Sequence, residues 1–124
     1  MLRTGDGRDV PDPDAVFRAL DDRTCREIIT ELGEPRTVTE IAERCDIPLS
    51  TTYRKVERLD EASLVTQQTE IRRGGHHRAL YRADFVTVRA FVSPERSLDV
   101  AIDRPVSEPQ EGLVSLWSEL RRET

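Results

Sequence analysis

Residues 37–59, TVTEIAERCDIPLSTTYRKVERL, carry two short helical patterns separated by only a few residues, which leaves a chain few ways to fold. Thr37 with Glu40 three positions later fits a capping box, in which each residue satisfies an orphaned backbone donor of the other; Thr39 is the alternative cap. Ile41, Ala42 and Cys45 face inward. Asp46 takes a left-handed turn position, which Asp tolerates better than most residues. Ile47 plugs the turn and Pro48 opens the next helix. There Thr52, Val56 and Leu59 lie on one side at i, i+4, i+7. A rotation of about 100° per residue puts Ser50, Thr51, Tyr53, Arg54, Glu57 and Arg58 on the other.

The flanking segments supply the remainder of a small domain. Residues 1–11 are Gly- and Asp-rich and read as a frayed tail. A helix over residues 13–20 has Val16, Phe17 and Leu20 on one face. A second, over residues 23–33, has Cys25, Ile28, Ile29 and Leu32 in a stripe, with Gly33 and Pro35 as its stop. Residues 65–72 and 79–84 read as antiparallel strands around the loop Arg72-Arg73-Gly74-Gly75-His76-His77-Arg78. Period-two alternation on both sides of Ser93-Pro94-Glu95-Arg96 predicts a second hairpin over residues 85–104. Leu113, Leu116, Trp117 and Leu120 then form a helical stripe within residues 108–123. The expected architecture is mainly α with a β-wing (α+β): a winged helix-turn-helix over residues 12–84, then a hairpin and a C-terminal dimerisation helix over residues 85–124.

Composition narrows the function. Two cysteines make no disulfide framework and match no zinc spacing. No phosphate-cradling glycine loop, nucleophile elbow or metal-binding helix pair is present, so neither an enzyme nor a cofactor is expected. No apolar run is long enough to span a bilayer and no charged-then-apolar leader stands at the start, which predicts a cytoplasmic protein without a membrane partner.

The net charge is −5, from 24 acidic and 19 basic residues, and Lys55 is the single lysine. Yet residues 49–82 hold seven basic side chains (Arg54, Lys55, Arg58, Arg72, Arg73, Arg78 and Arg82) against four acids (Glu57, Asp60, Glu61 and Glu70). That window carries +3 and the remainder −8. Positive charge gathers where a groove-reading helix and wing lie, while acidic flanks oppose non-specific sticking. An acid-rich, lysine-poor surface suits a salt-rich cytoplasm; a GC-rich genome also favours arginine.

The phrase Leu20-Asp21-Asp22-Arg23-Thr24-Cys25-Arg26-Glu27-Ile28-Ile29 resembles the opening of ArsR-like winged-helix repressors. The reader helix, Leu59-Asp60-Glu61-Ala62-Ser63-Leu64-Val65 and the Tyr81 strand resemble them too, so the likeness spans roughly residues 15–84. With the acidic surface, the chain is most similar to small haloarchaeal regulators of that kind. The resemblance implies a homodimer built from terminal helices. Ser63 stands where that family usually has glycine. The family's metal sensors carry paired cysteines or His and Asp ligands on the last helix; the last helix here has neither His nor Cys, so no metal site is expected.

These readings predict a transcriptional regulator that binds double-stranded DNA as a homodimer. Its DNA-binding residues are Ser50, Thr51, Tyr53, Arg54, Lys55 and Arg58 on the helix, with Arg72, Arg73, His76 and Arg78 on the wing. Its dimer interface is Val16, Phe17, Leu20, Leu113, Leu116, Trp117 and Leu120; the C-terminal stripe alternatively packs within its own chain. Cys25, in a helix's first turn between Arg23 and Arg26, is a candidate redox switch, since both features lower a thiol pKa. Asp21 and Asp22 oppose that effect, and a position beside Ile28 and Leu32 suits a buried hydrophobe. The rival reading is a winged-helix protein-interaction subunit of a transcription assembly, recognisable by Arg54 and Arg58 tied to Glu57 and Glu61.

Overall fold

The computed structural model describes residues 10–105. Three of the four helices begin where a side chain satisfies a first backbone donor; the fourth, which follows Pro48, has no side-chain cap. α1 (Pro13–Asp21) starts at Asp12, whose carboxylate accepts from the Asp14 N–H. α2 (Arg23–Thr30) starts at Asp22, which accepts from the Thr24 and Cys25 N–H groups at 2.9 and 3.2 Å. α3 (Val38–Cys45) has the expected capping box: the Thr37 N–H donates to Glu40 at 2.9 Å, and the Glu40 N–H donates to the Thr37 hydroxyl at 3.1 Å. Thr37, not Thr39, is therefore the cap. Asp46 sits at φ 57, the left-handed turn into α4 (Leu49–Glu61).

α2 stops three residues short of the expected end. The Leu32 N–H folds back to Ile29, and the Leu32 carbonyl accepts from the Ala83 N–H at 3.1 Å. Pairing with a strand replaces one more helical turn. The strands are β1 (Val65–Glu70) and β2 (Arg78–Ala83), in register from Val65 opposite Ala83 to Glu70 opposite Arg78. Arg36 pairs with Tyr81 through two backbone bonds, so a single residue ahead of α3 adds a rudimentary third strand.

The core lies beneath the inner face of α4. Val16, Cys25, Ile28, Leu32, Ile41, Leu59, Leu64 and Val65 are fully buried, as is Thr52, whose hydroxyl donates to the Pro48 carbonyl at 2.9 Å. α4 packs on α1, α2, α3 and β1. Val16 thus belongs to the chain's own core and has no surface to offer a second copy, which corrects its assignment to a dimer interface. Phe17 and Leu20 are half-buried against the same core. Leu113, Leu116, Trp117 and Leu120 lie outside the described residues.

Ser63 has φ 62 in the turn from α4 to β1, and its glycine-like conformation explains why a residue without a side chain suits that place. The second hairpin is formed by β3 (Thr87–Val92) and β4 (Leu98–Asp103). Val100 enters the core, with Phe85, Val88 and Ile102 packed beside it, and β4 rests on α1. Arg104 fastens the hairpin's base: its guanidinium donates to the carbonyls of Ser63 at 2.6 Å and Asp84 at 2.8 Å.

Because Leu59 is wholly enclosed while Tyr53 on the same helix is 56% exposed, the two positions separate packing from surface chemistry. Leu59→Ala is expected to lower unfolding free energy by about 2–5 kcal/mol in urea titration. Tyr53→Ala is expected to change it by less than about 0.5 kcal/mol.

Candidate nucleic-acid interface

The outward face of α4 carries Ser50, Tyr53, Arg54 and Glu57, all exposed, with Thr51 half-buried beside them. Lys55 and Arg58 behave differently. The Lys55 ammonium lies 2.7 Å from Asp22 Oδ2, and Arg58 Nη1 lies 2.6 Å from the same oxygen. Lys55 is 17% exposed and Asp22 10%, so this ion pair is largely out of solvent, and Lys55 serves to dock the helix. Arg58 is 38% exposed, with one end committed inward. The two cations expected to face a groove thus turn back onto the N-terminus of α2. Asp22 is the functional residue that the sequence reading did not single out as an anchor. Its signal is local only: an Asp before a helix reads as a cap, and its partners are more than thirty positions away.

That carboxylate has four partners, the Thr24 and Cys25 N–H groups, Lys55 and Arg58, and its ionisation reflects such an environment. Burial alone raises its pKa, but the hydrogen bond from Lys55, the Cys25 N–H, the Lys55 charge and the Thr24 N–H outweigh burial and hold it at about 2.

In the wing, the strand ends hold Glu70 against two arginines. Arg78 donates to Glu70 Oε1 through Nε at 2.7 Å and lies 2.6 Å away through Nη2; Arg72 stands 4.0 Å from the same oxygen. Arg73, His76 and His77 are exposed in the loop between β1 and β2, where Gly74 and Gly75 adopt φ 92 and 87. Positive φ at both suits a tip without side chains, with open space where each Cβ would stand. Within residues 49–82, Arg54, Arg73 and Arg82 are exposed with no carboxylate in ion-pair reach among the described residues.

Helix and wing meet in one groove of about 410 Å³, lined by Thr37, Thr39, Tyr53, Arg78 and Tyr81 among others. The first turn of α3 borders it through Val38, Thr39 and Glu40, so the Glu40 carboxylate lines the groove together with Arg78. The structure therefore joins Tyr53 and Arg78, predicted from separate segments, and adds Thr37 and Thr39, read from sequence only as caps.

Cys25 departs from the sequence expectation. Its side chain is fully buried, with Sγ 3.8 Å from the Lys55 carbonyl. Burial first, then the Asp22 charge and hydrogen bond, push the thiol up to about 11, against the smaller opposing effects of Arg58 and Lys55. Neither flanking arginine serves the thiol: Arg23 reaches Glu27 and Arg26 donates to the Leu20 carbonyl. A thiol so enclosed and so little ionised is a poor nucleophile toward oxidants, and the reactivity argument for Cys25 is overturned. Cys45 is half-buried and its pKa is also raised, by burial and then by Glu31 and Glu27.

Among the described residues no cluster of three or more His, Cys, Asp and Glu is placed to hold a metal, and no helix is long and apolar enough to cross a membrane. With that geometry in hand, residues 20–68 match a protein family described as a helix-turn-helix domain. The matched stretch runs from the end of α1 through α2, α3 and α4 into β1, less than half of the chain. Four helices with two small antiparallel sheets fit the winged form of that domain. No curated protein matches the chain.

The Asp22 carboxyl titrates below its ordinary 3.8, so its stabilisation is present above that value and is lost as pH falls toward about 2. In acid titrations of stability between about pH 5 and pH 2, the native chain is expected to lose about 2 kcal/mol more than Asp22→Asn. Parallel curves for the two proteins would contradict the anchor.

Proposed function

We propose that the chain is a sequence-specific DNA-binding transcriptional regulator that acts as a homodimer. The observation that carries this reading is Arg54: exposed on the outer face of α4, next in sequence to Tyr53, which lines a groove together with wing residue Arg78, and with no ion pair among the described residues. An arginine so presented suits a bidentate contact to guanine in the major groove. Ser50 and Thr51 supply hydroxyls for phosphates, and Arg72, Arg73, His76 and Arg78 lie toward the minor groove on the wing. One reader helix covers a half-site, and a homodimer places two about one helical turn apart on a near-palindrome.

The rival, a protein-interaction subunit, called for Arg54 and Arg58 to be tied to Glu57 and Glu61. Arg58 is tied, but to Asp22, and Arg54 is exposed and unpaired among the described residues. That arrangement favours a duplex as the partner. The acid-rich surface, with one lysine in 124 residues, supports operation in concentrated salt, as in the haloarchaeal regulators the sequence resembles. Phosphate contacts weaken steeply as salt rises, so base-edge contacts carry a larger share there. Cys25 has no part in this proposal.

The experiment selects binding sites from a random duplex pool with the purified protein in high salt, then compares Arg54→Ala on the enriched sequence. The variant is expected to lose roughly 5- to 150-fold in affinity, the equivalent of about 1–3 kcal/mol of base discrimination. Failure to enrich any sequence, or unchanged affinity for Arg54→Ala, would overturn the reading.

A further inference from the structure

Asp22 divides its carboxylate between two tasks. One oxygen, Oδ1, accepts the Thr24 and Cys25 N–H groups that open α2; the other, Oδ2, takes both Lys55 and Arg58 of α4. On α4, Arg58 stands four positions after Arg54, so their Cβ atoms lie about 6 Å apart on one side of the helix. Arg54 is exposed there, whereas the Arg58 guanidinium is drawn back to a carboxylate. That carboxylate binds it as a phosphate would, through a charge-assisted hydrogen bond. Resting on the DNA-binding reading above, we propose that Asp22 is a positioning residue of the interface. It occupies Arg58 in place of a backbone phosphate and so limits the sequence-independent part of the affinity.

The wing supplies a contrast. Glu70 also pairs with an arginine, Arg78, but its side chain is 39% exposed against 10% for Asp22. An ion pair open to water is weak, so a phosphate displaces Glu70 readily and Arg78 remains available to a duplex. The Asp22 cluster lies where α2 packs on α4, and the same oxygen is shared with the shielded Lys55 ammonium, which keeps it closed. Arg58, half-buried, is the surface end of that cluster; without the carboxylate it is free to turn outward beside Arg54. Each phosphate neutralised strengthens binding at any sequence and steepens the logarithmic salt dependence by about 0.9. Withholding Arg58 removes one such contact and leaves the base contact of Arg54 in place. Less protein is then held on unrelated DNA.

The test measures affinity of the full-length protein for a duplex of unselected sequence by fluorescence anisotropy, over the range of salt in which its circular dichroism is constant. Asp22→Asn keeps an oxygen for the α2 amides and removes the charge. This variant is expected to bind the duplex more tightly than the native protein. Its salt slope is expected to be steeper by about 0.9, an extra loss of about eightfold per tenfold rise in salt. Asp22→Asn combined with Arg58→Gln is expected to return to the native slope, which mere loosening of the fold does not produce. An Asp22→Asn slope equal to the native one, or a steeper slope that persists in the double variant, would overturn the proposal. If Asp22→Asn does not fold, Arg58→Gln alone decides. A slope unchanged from native supports the role of Asp22, whereas one shallower by about 0.9 places Arg58 on a phosphate and contradicts it. Arg54→Ala, measured in parallel on the enriched sequence, separates the two failures. A native protein that binds neither duplex at any salt loses the DNA-binding reading and this role with it. Arg54-dependent binding with one slope shared by native and Asp22→Asn proteins loses the role of Asp22 alone.

Discussion

One carboxylate, Asp22, holds the domain's two working parts in relation. It closes α1, caps α2 through the Thr24 and Cys25 amides, and receives Lys55 and Arg58 from the far helix. A buried charge is costly unless paired and hydrogen-bonded, and Asp22 has both kinds of partner. Because the pair with Lys55 is mostly shielded from solvent, dissolved salt screens it far less than an exposed pair. The crossing of α4 over α2 is thereby set by an interaction that survives concentrated salt. With Lys55 and Arg58 turned inward, α4 presents Arg54 outward without competition from neighbouring charges.

That arrangement changes what the positive balance of residues 49–82 means. Glu70 takes up Arg78 and touches Arg72, and Asp22, outside that window, takes up Lys55 and Arg58. The available charge is smaller than the sum of side chains and resides at Arg54, Arg73 and Arg82, with Arg72 loosely held. A reader built this way gains little from long-range attraction and depends on fit and base contacts. Such a division suits an acidic protein, whose net charge is −5.

Much of the fold was legible because it rests on short-range rules. The i, i+4, i+7 spacing of Thr52, Val56 and Leu59 gave the inner face of α4, the Thr37–Glu40 spacing gave its preceding helix a start, and Asp46 took the left-handed turn. Both hairpins followed from alternation around their turns. What was illegible involves long side chains and distant partners. Rotation about a helix places a Cβ, not the end of an arginine, and Arg58 bends to a residue 36 positions away. Cys25 failed for the same reason: its sequence neighbours are arginines, but its spatial neighbours are core residues and Asp22, and burial dominates. Val16 shows the limit of periodicity, which finds an apolar face without saying whether it meets the chain's own core or another copy.

The account stands or falls on whether the Asp22–Lys55 contact fixes the reader helix. A double-mutant cycle with Asp22→Asn and Lys55→Met, read as unfolding free energy in high salt, measures that contact apart from the cap and from Arg58. The account predicts a coupling of about 1–3 kcal/mol that changes little with added salt. Single-variant effects that add to within about 0.5 kcal/mol would contradict it.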